Sequence, residues 1–117
     1  MPEAMEFMQE ILVLCTTDSP EVAQRIASAL VKTGEAACVN IVPKVRSIYR
    51  WQGKLCDESE LLMLIKTTSE RFESVRARIR KLHTYEVPEI IALPISAGDP
   101  AYLRWLAEQT ALSRSNS

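Results

Sequence analysis

The sequence predicts a mixed α/β (α+β) fold with the element order β-α-β-β-α-β and an additional C-terminal helix. Two observations carry this prediction. Short apolar runs of strand length alternate in that order with segments whose apolar residues recur at helical spacing. Two long central strand segments are also joined directly through a Gln-Gly pair, which is typical of a tight hairpin turn. This order is the split βαβ arrangement of a ferredoxin-like sandwich, a sheet with helices on one face.

The first strand and the first helix are marked by a change in apolar pattern. Residues 11–15 form a continuous apolar run that is short for a helix, which favours a strand buried on both faces. Asp18 or Ser19 is then expected to cap a helix that has Pro20 at its first position. Gly34 is expected to end this helix. Its apolar residues at helical spacing are Val22, Ala23, Ile26, Ala27 and Leu30.

The two central strands are predicted at residues 38–51 and 55–67. Pro43 cannot donate a hydrogen bond to a neighbouring strand, so it is expected to mark an edge position or a bulge. Gln52 and Gly53 supply the turn between the two strands.

The second half of the chain repeats the alternation of helix and strand. A helix is predicted from the apolar face formed by Phe72, Val75, Ile79 and Leu82. Pro88 precedes a fourth strand, which is predicted at residues 89–95. The Gly-Asp-Pro triplet at residues 98–100 opens the final helix, whose apolar residues are Tyr102, Leu103, Leu106 and Ala107.

Length and charge limit the domain organisation and the partners. A chain of 117 residues fits one domain, predicted at residues 10–112 between a flexible N-terminus at 1–9 and a disordered tail at 113–117. Fourteen basic and fifteen acidic residues give a net charge of −1, so no basic face for nucleic acid is expected. The apolar runs are too short to span a membrane.

Cysteine usage and the N-terminal residues predict a cytoplasmic protein. An odd number of cysteines, at positions 15, 38 and 56, disfavours a disulfide framework and favours reduced thiols. The first ten residues contain three glutamates and no apolar segment, unlike a signal peptide. No enzymatic activity is expected, because the three glycines are too widely spaced for a phosphate-binding loop and the single histidine has no obvious partner serine.

The predicted hairpin is too long for a domain of this size. Strands of fourteen residues would extend roughly 46 Å at ~3.3 Å per residue, whereas the expected radius of gyration is only ~13 Å. Part of the hairpin should therefore project, with Tyr49, Trp51 and Leu55 near its tip. An isolated ribbon is marginally stable in water, so packing against other subunits of a homotrimer is expected. The alternative is a hairpin that folds back at Pro43 within its own chain.

Five stretches of sequence are distinctive in combination. They are AACVNI at residues 36–41, SIYRWQGK at 47–54, MLIKT at 63–67, YEVPEIIA at 85–92 and YLRW at 102–105. Together they resemble the CutA divalent-cation tolerance family, and the resemblance covers about residues 10–111. It implies a trimer built through the long hairpin, a role in tolerance of divalent cations, and copper binding as attributed to some members.

The resemblance also implies copper ligands. Cys15 and His83 match positions implicated in copper binding, and Cys38 is a weaker third candidate. Thiolate and imidazole do suit copper, and the predicted topology places the end of the first strand near the end of the second helix. Cys38 should lie at the opposite edge of the sheet, where it could join Cys15 only across a subunit boundary. The alternatives are core packing for both cysteines and helix C-terminal capping for His83.

A second set of candidates is polar. Five of them match positions common in CutA proteins and, in the trimer, could gather in clefts between subunits: Glu58, Glu60, Lys66, Tyr85 and Glu89. Trp51, near the hairpin tip, is the sixth candidate. Glu60 and Lys66 share strand parity and should face the same side. Such a cluster could bind a small polar ligand or form a structural ion-pair network, and Trp51 is equally suited to an interface and to a ligand platform.

The function expected from these observations is copper tolerance by a non-enzymatic, cytoplasmic homotrimer that binds copper or a related divalent metal. The alternative is a trimeric small-molecule sensor similar to the PII signalling proteins, with ligands in the clefts between subunits. A third possibility is a trimer that only scaffolds another protein.

Overall fold

The computed structural model describes residues 9–112, and its elements follow the predicted order. The predicted tail, and the predicted flexible N-terminus except for residue 9, lie outside this range. The elements are β1 (Glu10–Thr17), α1 (Pro20–Lys32), β2 (Cys38–Trp51), β3 (Lys54–Thr68), a 3₁₀ turn (Ser69–Arg71), α2 (Phe72–Leu82), β4 (Ile91–Pro94) and α3 (Pro100–Gln109). The strands form an antiparallel sheet in the order β2-β3-β1-β4.

The hydrophobic core lies between one face of this sheet and helices α1 and α2. The buried side chains that form it include Val13 and Cys15 of β1, Met63 and Ile65 of β3, Val22, Ile26 and Leu30 of α1, and Val75 and Ile79 of α2. On the other face of β1, Leu12 and Leu14 are only half-buried. The expectation that β1 is buried on both faces is therefore wrong for a single chain.

Helix α1 begins and ends where the sequence predicts. The Ser19 hydroxyl accepts a hydrogen bond from the Val22 N–H at 3.2 Å, with Pro20 as the first helical residue. Gly34 follows the helix with φ of +78°, a left-handed conformation that glycine adopts without steric cost. Within residues 9–112, no helix has the length and hydropathy that crossing a membrane requires.

Helix α3 lies on the opposite face of the sheet from α1 and α2. Met63 and Ile65 face the core, so strand alternation directs Lys66 to the other face. There its Nζ lies 5.7 Å from the centroid of the Tyr102 ring on α3. Asp99 caps α3 by accepting two backbone N–H hydrogen bonds. The expectation of helices on one face is thus correct only for α1 and α2.

The β2–β3 hairpin projects beyond the rest of the chain, as its length predicts. The described chain measures 48 × 27 × 23 Å and has a Cα radius of gyration of 15.2 Å, compared with ~13 Å for a compact domain. At the tip, Gln52 and Gly53 have φ values of 51° and 81°. Positive φ at both central positions is the requirement of a type I′ hairpin turn. The predicted tight turn is therefore confirmed.

The predicted irregularity at Pro43 is a bulge in β2. The register of β2 against β3 shifts between Val42 and Val45, and Lys44 has φ of 62°. Beyond the bulge, the apolar side chains of Ile48 and Leu55 are 60% and 78% exposed. The projecting part of the hairpin therefore presents apolar surface that its own chain does not cover.

Strand β4 is shorter than predicted. It spans Ile91–Pro94 and pairs only with residues 11–14 of β1, whereas the sequence predicts a strand over 89–95. Beyond the strand, the Ile95 N–H still donates to the Glu10 carbonyl oxygen at 3.0 Å. The strand is therefore shortened mainly at its start, where residues 89 and 90 do not pair with β1 and Pro88 has no N–H to extend the ladder. The segment before the strand, residues 85–89, is free to line the site described next.

Candidate functional site

A cavity of about 670 Å³ lies between the β2–β3 hairpin and the segment at residues 85–89. Its lining includes five carboxylate side chains, Asp18, Glu58, Glu60, Glu86 and Glu89, and three aromatic side chains, Tyr49, Trp51 and Tyr85. No lysine or arginine of residues 9–112 is among its lining residues. We call this the acidic cavity.

The acidic cavity contains most of the predicted polar cluster. Trp51, Glu58, Glu60, Tyr85 and Glu89 all line it. Strand pairing explains part of this arrangement, because Ser47 of β2 lies opposite Glu58 of β3. Side chains two residues apart on a strand share a face, so Tyr49 lies on the same face as Ser47, and Glu60 on the same face as Glu58.

Lys66 does not line the acidic cavity within one chain. It lies six residues beyond Glu60 on β3, towards the other end of the strand, where it contacts Tyr102 of α3. Lys66 does lie on the same face of β3 as Glu60, as strand parity predicts. The distance along the strand, and not the facing, separates its ammonium group from the carboxylates.

Two tyrosines hold two of the carboxylates in place. The Tyr49 hydroxyl donates to Glu58 Oε1 at 2.6 Å, and the Tyr85 hydroxyl donates to Glu60 Oε2 at 2.5 Å. The hydrogen bond to Glu58 raises the pKa of Tyr49. Burial, followed by the hydrogen bond to Glu60, raises the pKa of Tyr85. Both phenols therefore remain proton donors and fix the orientation of the carboxylates.

Cys15 belongs to the hydrophobic core and is not among the residues that line the acidic cavity. Its side chain is fully buried, and burial, together with the negative charges of Glu89 and Glu60, raises the pKa of the thiol to about 12. Its Sγ lies 3.9 Å from the carbonyl oxygen of Thr16. At neutral pH this cysteine is therefore a protonated thiol, which is a poor nucleophile and must lose a proton to ligate a metal.

His83 reaches the same carbonyl from the end of α2. Its Nε2 lies 2.8 Å from the Thr16 oxygen, and its Nδ1 accepts a hydrogen bond from the Tyr85 N–H at 3.0 Å. Because Nδ1 is an acceptor, Nε2 must carry the hydrogen that is donated to Thr16. The structure thus brings Cys15 and His83 to one carbonyl group and links them through Tyr85 to Glu60.

Cys38 lies apart from Cys15 within the chain. It pairs with Lys66 at the start of β2, whereas Cys15 pairs with Met63, and β3 runs between them. Two strand spacings of ~4.8 Å and three residues of ~3.3 Å separate the two Cα atoms by roughly 14 Å. Val39 packs against the core, so the neighbouring Cys38 faces the other side of the sheet.

Sequence reasoning missed three residues of the acidic cavity that carry chemistry. Tyr49 was detectable, because it shares strand parity with Trp51. Asp18 and Glu86 lie in connecting segments, where no periodic pattern indicates the direction of a side chain. Within residues 9–112, no group of three or more histidine, cysteine, aspartate or glutamate side chains lies close enough to hold a metal ion.

Known proteins are similar to this chain in both sequence and fold. A family model described as CutA1 divalent ion tolerance protein matches residues 11–109. The divalent-cation tolerance protein CutA of Thermus thermophilus is 54% identical over 103 residues, which cover 88% of this chain and 99% of that protein. Protein CutA of Mus musculus is 46% identical over 102 residues, or 87% of this chain and 57% of that protein.

Solved structures give the same result. The structure of the Thermus thermophilus protein has a TM-score of 0.85 and covers 87% of this chain and 99% of that chain. The crystal structure of CutA1 from Oryza sativa is 38% identical, has a TM-score of 0.86, and covers 92% of this chain and 99% of that chain.

The fold and the site define a small ferredoxin-like α+β protein whose polar groups gather between a long hairpin and the entry to its last strand. The family match over most of the chain makes the assignment specific. The chain belongs to the CutA divalent-cation tolerance family, as its sequence motifs predict. This family is named for tolerance of divalent ions and not for a catalysed reaction.

Proposed function

We propose that this protein serves divalent-cation tolerance, copper foremost, as a non-enzymatic homotrimer that binds the ion. The observation that carries the proposal is the convergence of Cys15, His83 and the acidic cavity at the end of β1 in a chain of the tolerance family. Thiolate and imidazole are preferred ligands of copper, and carboxylates add negative charge close by. Glu60 and Glu89 are near enough to act on the Cys15 thiol through their charge.

Binding of an ion by Cys15 and His83 would require each of them to give up an interaction that it makes in the folded chain. Cys15 must lose a proton that burial holds firmly. His83 must exchange one of its two hydrogen bonds, either to Thr16 or to the Tyr85 backbone, for the ion. Cys38 could contribute only from another chain, which makes the trimer part of the hypothesis.

The experiment that tests the function is an anaerobic copper titration of the purified protein against a competing chelator. Cys15→Ser and His83→Ala are each expected to weaken copper binding at least about tenfold, because each removes a metal-ligand bond. Cys56→Ser is the matched control, since it removes a thiol near the hairpin tip, and it should leave the affinity unchanged. Cys38→Ser weakens binding only if the site spans subunits. Wild-type affinity in both Cys15→Ser and His83→Ala would contradict this site.

Copper affinity is expected to rise with pH. The pKa of Cys15 is raised to about 12, so the thiol stays protonated between about pH 6 and pH 8, and binding as thiolate releases one proton. The apparent dissociation constant should therefore fall about tenfold per pH unit. The measurement is the chelator competition repeated across this range, with the chelator's own pH dependence subtracted. Cys15→Ser should flatten the slope; an equally steep slope in that variant would assign the proton to another group.

The trimer is supported by apolar surface that one chain leaves uncovered. Ile48 and Leu55 on the hairpin, Ile91 and Leu93 on β4, and Trp105 on α3 are all at least 40% exposed. Exposed apolar side chains on adjoining elements are typical of surfaces that another subunit covers. Light scattering during the copper titration should give three times the mass of the chain, and a monomer mass would contradict the trimer.

A cytoplasmic location is supported by three free cysteines within residues 9–112. Relatives are named as chloroplastic in Arabidopsis thaliana and as periplasmic in Archaeoglobus fulgidus. The location is therefore a property to be measured for this chain, by fractionation of cells that produce it. Recovery outside the cytoplasmic fraction would contradict the proposal.

A second candidate function is a trimeric small-molecule sensor similar to the PII signalling proteins. The observation that favours it is the acidic cavity, whose volume of about 670 Å³ is that of small-molecule sites. A compound that binds only the folded protein raises its melting temperature. A compound library that produced no such shift would remove this candidate.

A further inference from the structure

We propose that the outer surface of helices α1 and α2 binds an acidic segment of another protein. The two helices pack side by side on one face of the sheet. Their exposed basic side chains define the surface, which we call the basic surface: Arg25 and Lys32 of α1, and Arg76, Arg80 and Lys81 of α2. The inference goes beyond the proposed function and does not depend on copper binding.

The two helices carry a positive charge that the chain as a whole does not have. Six basic and two acidic side chains belong to α1 and α2, whereas the net charge of the chain is −1. Arg76 pairs with the exposed Glu73, and Arg78 pairs with Glu35. The other four basic side chains form no ion pair within residues 9–112: Arg25, Lys32, Arg80 and Lys81. Positive charge is therefore available to a partner.

The arrangement of these charges is unfavourable for the chain alone. Arg76 and Arg80 are four residues apart on α2, which places their Cβ atoms about 5–6 Å apart on one face, and like charges at this spacing destabilise a helix. Lys32, Arg80 and Lys81 lie in the last turns of their helices, where the helix dipole favours a cation. Arg25 and Arg76 do not, so the dipole leaves them unexplained. An anionic partner would relieve the repulsion.

The basic surface lies away from the apolar side chains that support the trimer. Ile91 and Leu93 of β4 and Trp105 of α3 lie on the opposite face of the sheet, and the projecting hairpin lies beyond the helices. Along α1 and α2, both described in full, the one exposed large hydrophobic side chain is Val31, at 45%. The centres of subunit interfaces are depleted of charged residues. The basic surface is therefore expected to face outwards in the trimer.

The chemistry of the surface favours an acidic protein segment over other polyanions. Guanidinium groups bind carboxylates through paired hydrogen bonds, and clusters of arginine are a recurring means of recognising acidic motifs. Carboxylates three or four residues apart on a helix match the spacing of Arg76 and Arg80. A membrane surface would also require apolar side chains that insert into it, and a long nucleic acid would extend beyond the surface and be repelled by a chain of net negative charge.

The experiment is fluorescence anisotropy of a fluorescein-labelled peptide of repeated Glu-Ala-Ala-Gln units, titrated with the full chain at low ionic strength and at physiological salt. The acidic peptide is expected to bind, with an affinity that falls as salt is added. The same peptide with glutamine in place of glutamate should not bind. The double variant Arg25→Gln/Arg80→Gln should weaken binding about fivefold or more, the scale of two exposed charge pairs.

The matched control is the double variant Arg50→Gln/Arg104→Gln. It removes the same two charges from exposed positions on β2 and α3, and it should change the affinity less than about twofold. Should Arg25→Gln/Arg80→Gln not fold, Lys32→Gln/Lys81→Gln tests the same surface. Copper affinity should be unchanged in all of these variants, so the fate of this inference is separate from that of the proposed function.

Three outcomes would overturn the inference. The first is no binding of the acidic peptide, and the second is an equal loss of affinity in Arg25→Gln/Arg80→Gln and Arg50→Gln/Arg104→Gln. The third comes from sedimentation of the chain with phosphatidylserine vesicles. Tighter binding to these vesicles than to the peptide, lost in Arg25→Gln/Arg80→Gln, would assign the basic surface to a membrane.

Discussion

Ile65→Ala is expected to lower the free energy of unfolding by about 3–4 kcal/mol, a typical result of emptying a fully buried isoleucine site. Ile65 is 0% exposed and lies in the second half of β3, where it pairs with Val13 on one side and Val39 on the other. Its side chain faces α1 and α2. The two flanking strands and the helices fix the walls of the site, so they can collapse only partly around the shortened side chain.

The measurement is thermal unfolding at a fixed chain concentration, because the stability of an oligomer depends on that concentration. Val31→Ala is the matched control, since Val31 is 45% exposed on α1 and alanine is the better helix former. It should change the free energy of unfolding by less than about 0.5 kcal/mol. Equal losses in the two variants would show that β3 is not at the centre of the core.

The fold was largely predictable because its elements carry strong local signals. The apolar run of β1, the Ser19-Pro20 start of α1 and the Gln52-Gly53 turn each depend on residues close in sequence. Pro43 predicted the bulge for the same reason, since a missing N–H acts on the adjacent hydrogen bonds alone.

The errors concern contacts that no local pattern contains. The length of β4 depends on how many of its residues pair with β1. The apolar pattern does not indicate that number, because the sequence is also apolar at Ile90 and Ile95, next to the paired residues. The position of α3 on the second face brings Tyr102 close to Lys66, a residue far away in the sequence. Helical periodicity predicts which side of a helix is apolar, but not which layer of the protein receives it.

The candidate site was predictable where strands position it. Trp51, Glu58 and Glu60 follow from strand parity and the register of the hairpin. The hydrogen bond between Tyr85 and Glu60 joins residues 25 positions apart, and the two hydrogen bonds of His83 depend on the tertiary packing of α2 against β1. The family resemblance gave Cys15 and His83 as metal ligands, and that assignment stays a prediction.

A buried ionic network that sequence analysis did not detect holds the α1–β2 connection onto α2. Glu35 Oε1 accepts hydrogen bonds from Arg78 Nε at 2.9 Å and from the Thr33 hydroxyl at 2.7 Å. Its Oε2 accepts from the Ser74 hydroxyl, and its backbone oxygen accepts from the Thr67 hydroxyl at 2.6 Å. One residue therefore connects the end of α1, the middle of α2 and the end of β3.

Glu35→Ala is expected to lower the free energy of unfolding by about 2–3 kcal/mol. Breaking a buried pair costs ~3–5 kcal/mol, and the side chain of Arg78 is 31% exposed, so water recovers part of that cost. The matched control is Glu73→Ala, which breaks an exposed pair with Arg76 three residues away and should cost less than about 0.5 kcal/mol. Equal costs would mean that Glu35 is solvated like a surface residue.

The same network should make stability depend on acid. Burial acts to raise the pKa of Glu35, but the hydrogen bonds from Arg78, Ser74 and Thr33 and the charge of Arg78 outweigh it, so the pKa lies below its ordinary 4.5. A carboxylate with a lowered folded pKa stabilises the protein above the unfolded value and loses that contribution as pH falls through the folded one. The stability difference between wild type and Glu35→Gln is therefore expected to be largest at neutral pH and to shrink as pH falls below 4.5. Urea unfolding across this range measures it, and a constant difference would show that Glu35 contributes packing and not charge.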